Sequence, residues 1–162
     1  MDFYAVSIKE LEMLANQEKA LKPHFAGVFA ADTLPKQPIK ARPQAYIVNT
    51  DPKHKEGQHW IGLWTENGMC QIMDSYGLPL VIYKSSPLES WLAKWPTLES
   101  NSISLQAINS ATCGHYALKY LLEKSQGKTM RQFLEQFHPL DYVYNDARIA
   151  RWLKHKMKRN ST

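Results

Sequence analysis

Near the start of the chain Ile8, Leu11, Leu14, Ala15 and Leu21 recur at helical spacing behind Ser7-Ile8-Lys9-Glu10, a capping-box pattern. A helix over about 8–21 is predicted, with one face on a core, and Lys22-Pro23 ends it because the residue before proline leaves the helical region. Residues 30–43 carry Pro35, Pro38 and Pro43 and read as a loop that cannot be a central strand. The period then changes. Alternating apolar positions predict strands over 44–50, 58–65 and 69–74, with a hairpin signal, Glu66-Asn67-Gly68, between the last two.

Gly77 to Pro79 turn the chain, and Leu80 to Tyr83 reads as a short strand or an extended loop. Ser86-Pro87-Leu88-Glu89 is a second capping-box pattern, predicting a helix to about Trp95 that Pro96 closes. Residues 102–106 read as a strand feeding a helix that is apolar almost all round, Tyr116 to Leu122, which begins between Ser110 and Thr112 with N-cap chemistry at Ser110. Thr129 to Gln132 caps a short helix through Phe137, and Asn145 or Asp146 begins the last one. The fold class is therefore α+β: a small, mostly antiparallel sheet flanked by helices, one of which carries Cys113 at its N-terminus. At 162 residues and 44% hydrophobic content, one domain over 1–162 is expected, able to bury a core without disulfides or metal.

Composition narrows the function classes. No run approaches a membrane span, the first thirty residues lack a signal-peptide pattern, and no membrane partner is expected. The histidines are scattered, with no HExxH or CxxC spacing, so no metal site is expected. The two cysteines, Cys70 and Cys113, are expected to be reduced, with Cys70 a packing residue. A formal charge of +5 points to a polyanion partner. Much of the excess, Arg148, Arg151, Lys154, Lys156, Lys158 and Arg159, lies on the basic C-terminal helix from about 145. That helix is either a solvated face or a nucleic-acid contact whose phosphate bonds are salt-sensitive.

Cys113 falls in the first turn of its helix, where unpaired backbone N–H groups and the helix dipole favour an anion. A free cysteine is more often a small buried hydrophobe; the surrounding residues argue for chemistry. A nucleophilic cysteine needs a histidine base, a group that orients it, and donors for the oxyanion. His59 and Asp74 belong to the two strands of the hairpin. A Glu66-Asn67 loop sets them directly opposite, an Asn67-Gly68 loop makes them diagonal, and both registers put them on one face; a three-residue loop would separate them unless a bulge intervened. Gln106, seven residues before Cys113, offers an amide donor beside the Cys113 N–H.

The order His59-Trp60, Asp74-Ser75-Tyr76-Gly77 and Gln106-x-x-Asn109-Ser110-x-x-Cys113-Gly114 resembles the adenovirus protease (adenain) group of papain-like-fold cysteine proteases, in the same clan as proteases of ubiquitin-like proteins. Lys22-Pro23-His24-Phe25-Ala26-Gly27-Val28-Phe29 and Tyr46-Ile47-Val48-Asn49-Thr50 resemble further segments of the adenoviral branch. The resemblance implies that His59 is the base, Asp74 the orienting acid, Gln106 the oxyanion donor and Cys113 the nucleophile, with Trp60 and Asn109 at the substrate cleft. It implies cleavage after glycine in precursor proteins of a virus or virus-like element during virion maturation, in virion and host nucleus, or otherwise in a reducing intracellular compartment. The chemistry needs no cofactor, and a monomer is expected.

The resemblance also implies DNA as activator, through Arg151, Lys154, Lys156, Lys158 and Arg159. Its disulfide-linked viral activating peptide would need a cysteine that the stretch Trp95 to Asn101 lacks. The adenoviral enzymes usually have Glu where Asp74 stands, and they are longer after the cysteine helix. The rival readings are a ubiquitin-like-protein deconjugating protease, acyl transfer by the same triad, and a non-catalytic nucleic-acid-binding module.

Overall fold

A computed structural model of the chain describes residues 4–51, 59–83 and 86–159. Its elements are α1 (Ile8–Gln17), β1 (Phe25–Phe29), β2 (Gln44–Asn49), β3 (Trp60–Glu66), β4 (Met69–Met73), a 3-10 turn at Leu80–Tyr83, α2 (Glu89–Leu92), β5 (Thr97–Ser100), α3 (Cys113–Ser125), α4 (Met130–Leu134) and α5 (Tyr142–Arg159). The predicted strand over 58–65 is described from His59 onward, because Gln58 lies outside the described residues.

Local chemistry decides where helices begin. Both bonds of the Ser7/Glu10 capping box form at α1, and both bonds of the Thr129/Gln132 box form at α4. The Ser86/Glu89 box does not: the Ser86 hydroxyl accepts from the Leu88 N–H and donates to the Tyr83 carbonyl, and α2 shrinks to four residues with Leu88 at its N-cap. The first helix stops at Gln17, and tight turns carry Leu21 into the core. The last starts at Tyr142, ahead of the predicted Asn145 or Asp146, because the Asp141 carboxylate caps it by accepting from the Tyr144 N–H at 3.0 Å.

The five strands lie in the order β1-β2-β3-β4-β5. The β2-β3 and β3-β4 pairs are antiparallel, while β1 beside β2 and β5 beside β4 are parallel, so the sheet is mixed rather than mostly antiparallel. Long connections, residues 30–43 and 74–96, allow this, since a parallel pair needs a crossover of about a dozen residues or more. β1 was not among the predicted strands. Gly27, at φ 140°, shifts its register and breaks the alternation that would have marked it. Nor is 102–106 a strand: the edge strand forms earlier, at Thr97–Ser100, and the later segment runs across the end of β4, where the Leu105 and Gln106 N–H groups both donate to the Ser75 carbonyl.

Alternation along β2 divides the core in two. Ala45 and Ile47 face a cluster with Leu11 and Leu14 of α1, Tyr116 and Leu121 of α3, Phe133 of α4 and Leu153 of α5. Tyr46 and Val48 face Tyr83, Leu88, Trp91 and Trp95 on the other side. Cys70, 0% exposed, belongs to this second cluster. Helix α3 sits close on β3 because of Gly62, where a Cβ would stand 3.3 Å from the Ala117 carbonyl and 3.4 Å from the Tyr120 ring. That packing holds the helix start against the beginning of β3.

Candidate active site

In the hairpin Glu66 opposes Met69 and Gly62 opposes Met73, so Asn67 and Gly68, at φ 51° and 77°, form the two-residue loop. Positive φ at both central residues matches the twist of the paired strands. This is the diagonal of the two registers foreseen. His59, just before β3, and Asp74, just after β4, meet on one face, with His59 Nε2 2.7 Å from Asp74 Oδ1. Tyr76 stacks on the imidazole, ring centres 4.6 Å apart.

Asp74 is held from every side. Its Oδ1 also accepts from the Tyr76 N–H at 2.8 Å, and its Oδ2 accepts from the Tyr83 hydroxyl at 2.6 Å. Asn101 accepts from the Asp74 N–H at 2.8 Å and donates its amide to the Asp74 carbonyl at 2.6 Å. Burial pushes this carboxyl up, but His59, through its hydrogen bond and charge, and then Tyr83 and the Tyr76 N–H hold it below its ordinary value. For His59 burial acts downward; the hydrogen bond and charge of Asp74, with the charge of Cys113, outweigh it and raise the imidazole to about 9. The other ring nitrogen, Nδ1, is buried without a hydrogen-bond partner.

Cys113 is the first residue of α3, and its Sγ accepts from the Trp60 N–H at 3.4 Å. The N-cap is Thr112 and not Ser110, and its hydroxyl donates to Asp146 Oδ1 at 3.0 Å instead of capping the helix. Gln106 is buried beside this segment. Its Oε1 accepts from the Ser75 hydroxyl at 2.5 Å, and its Nε2 donates to the Ser110 carbonyl at 2.8 Å and the Ser110 hydroxyl at 2.9 Å. The amide hydrogens are thus directed to Ser110, three residues before Cys113.

A cleft of about 630 Å³ opens over His59 between Thr50, Leu78, Ile82 and Ser86 on one side and Ile108, Asn109 and Ser110 on the other. Asn109 lies on its wall, and the Tyr76 hydroxyl donates across to the Ile108 carbonyl at 3.1 Å. Trp60 is placed differently: its side chain packs against the α-helical core, and only its backbone reaches the thiol. The basic residues of α5 stand on a different element from His59, Asp74 and Cys113. Arg151, Lys154 and Lys158 are exposed at i, i+3 and i+7, with Arg159 exposed next to them. Lys156 instead turns to Glu18, 2.8 Å away, and Arg148 donates to the Gln136 carbonyl at 2.9 Å.

Tyr83, Asn101 and Asp146 enter the site without having been singled out as site residues in the sequence, and Ser75 stood in the motif after Asp74 with no role given to it. Tyr83 and Asn101 could be found only through the fold that brings them back onto Asp74. Neither cysteine forms a disulfide. Among the described residues there is no group of three or more side chains that could hold a metal, and no helix is long and apolar enough to cross a membrane.

No protein-family model and no curated protein matches the chain. Among solved structures, it is similar to the crystal structure of the pS273R protease of ASF virus (ASFV), with a TM-score of 0.55 and 14% identity over 92% of this chain and 67% of that one. A selenomethionine crystal structure of the same protease aligns with a TM-score of 0.40 and 18% identity over 64% of this chain and 42% of that one. That first likeness shows the fold alone and does not single out the adenain branch.

Proposed function

We propose that this chain is a cysteine endopeptidase in which Cys113 is the nucleophile, His59 the base and then the acid, and Asp74 the group that orients it. The observation that carries this reading is the imidazole: one nitrogen is fixed on a buried carboxylate at 2.7 Å, the other is buried and unpartnered, and the N–H of the next residue, Trp60, bonds the Cys113 Sγ at a helix N-terminus at 3.4 Å. With its value raised to about 9, His59 rests as the imidazolium, and the attacking species is the thiolate of Cys113. The thiolate attacks the scissile carbonyl, His59 delivers its proton to the leaving amine, and water, deprotonated by His59, releases the acyl-enzyme.

The oxyanion forms against the Cys113 N–H, which as the first helical amide has no intrahelical acceptor. Gln106 supplies the second donor once one of its hydrogens leaves Ser110 for the substrate oxygen. Asn109 contacts the substrate along the cleft, and Trp60 supports the site from the core side. The substrates are proteins cleaved after glycine, precursors of a virus or virus-like element. The fold likeness to an ASFV protease supports that setting. The chain acts as one protease domain, as a monomer, and needs no metal.

A fluorogenic Gly-Gly peptide tests the assignment. Purified Cys113→Ser is expected to keep the wild-type thermal unfolding midpoint within a few degrees, His59→Ala to fold with a lowered midpoint because Asp74 loses its partner, and both to hydrolyse nothing above background; cleavage by either refutes the triad. Trimming of a ubiquitin-like precursor at its C-terminal Gly-Gly, with no cleavage of internal glycine sites, would move the assignment to a deconjugating protease.

A second activity is favoured by the stripe of Arg151, Lys154 and Lys158. We infer that it contacts DNA phosphates through these exposed side chains and that DNA activates the enzyme.

A further inference from the structure

The proposed catalysis leaves one deeply buried carboxylate without a part. Asp146, on α5, is 1% exposed. Its partners are neutral donors: Oδ2 accepts from the Ala107 N–H at 3.1 Å, and Oδ1 accepts from the Thr112 hydroxyl at 3.0 Å and the Tyr116 hydroxyl at 2.7 Å. Ala107 and Thr112 are the first and last residues of the stretch between Gln106 and Cys113. Next to it, Asn145 donates to the Leu105 carbonyl at 3.2 Å. Helix α5 therefore grips the segment at both ends.

A buried charge is costly, and where only packing is needed an apolar side chain serves at least as well. What a carboxylate uniquely supplies is two oxygens that only accept, enough to receive donors from both ends of the segment at once. The setting favours it, since the start of α3 presents the positive end of a helix.

We propose that Asp146 is a positioning residue for the oxyanion site: by holding Ala107 and Thr112 on one carboxylate, it fixes the spacing between the Gln106 amide and the Cys113 N–H. This rests on the peptidase reading above. An asparagine in its place keeps one acceptor but turns an NH2 group toward a donor. If the amide oxygen serves the two hydroxyls, the Ala107 N–H meets another N–H group and the segment end is displaced.

Two reactions of the same thiol separate this role from a merely structural one. Alkylation by iodoacetamide needs the Cys113–His59 pair alone, whereas acylation by an N-blocked glycine p-nitrophenyl ester also needs the oxyanion donors. In Asp146→Asn, acylation is expected to slow by about 10- to 100-fold, with alkylation within about twofold of wild type. Thr112→Val, which removes one of the links, is expected to show the same selectivity at smaller amplitude and decides the matter if Asp146→Asn does not fold. Acylation at the wild-type rate, or both reactions falling in proportion, overturns the proposal. A wild-type protein that the ester acylates no faster than Cys113→Ser would instead overturn the peptidase reading itself.

Discussion

Two buried imidazoles answer to pH in opposite senses. His59, raised to about 9 by partners that outweigh its burial, binds its proton more tightly folded than unfolded. Its stabilising contribution is whole below the ordinary histidine value, about 6.5, and is lost as pH rises toward 9. Peptide hydrolysis is expected to fall over that upper limb as His59 loses the proton it must give the leaving amine, measured as kcat against pH. His115 is lowered to about 4 by burial, which Glu10 only partly offsets, and its Nδ1 has no partner. Here the unfolded chain binds the proton first, so stability falls as pH drops from about 6.5 toward 4. Wild type should lose more thermal stability across that interval than His115→Gln; equal losses would refute the assignment. The meeting of His59 with Asp74 and the place of Cys113 at a helix start were legible because the parity of a hairpin and the start of a helix are local matters. Tyr83 and Asn101, which fix Asp74, were not, since nothing near them in sequence says that they return to it.

Elements show where local rules hold and where tertiary structure overrides them. The Ser7 and Thr129 boxes formed as read, and Ser7→Ala is expected to cost about 1 kcal/mol, seen as a lower denaturation midpoint with unchanged m-value. The Ser86 box failed because its hydroxyl serves the adjoining 3-10 turn, whose Tyr83 is committed to Asp74. In the segment 102–106 the alternation was real, but its partner is the single carbonyl of Ser75 and not a neighbouring strand. Gly77 explains that placement. At φ 63° its missing Cβ would stand 2.6 Å from the Ile103 carbonyl carbon, so the segment carrying Gln106 runs directly over it. Gly77→Ala is expected to cost at least about 1–2 kcal/mol for the left-handed backbone, and to lower peptide hydrolysis more than iodoacetamide alkylation, because the displaced backbone leads to Gln106 and not to His59. Alkylation falling equally would count against this.

At the scale of the whole molecule, charge and burial are separately arranged. Much of the basic excess lies on α5, where Arg151, Lys154, Lys158 and Arg159 are exposed. Binding to a random-sequence DNA duplex is expected to weaken steeply between about 50 and 200 mM salt, and the combined Arg151→Gln, Lys154→Gln and Lys158→Gln variant should flatten that dependence in a fluorescence-anisotropy titration. An unchanged slope would remove the helix from any DNA contact. The two cysteines divide along the same lines. Both thiols are buried, but Cys70 sits at 0% exposure in the middle of one core, its thiol pushed up by burial, while Cys113 keeps 7% at the start of α3. A thiol-reactive dye should therefore take up one equivalent on the native protein and two in denaturant. The ratio gives this protein an intrinsic gauge of how much of it has opened, with no engineered label.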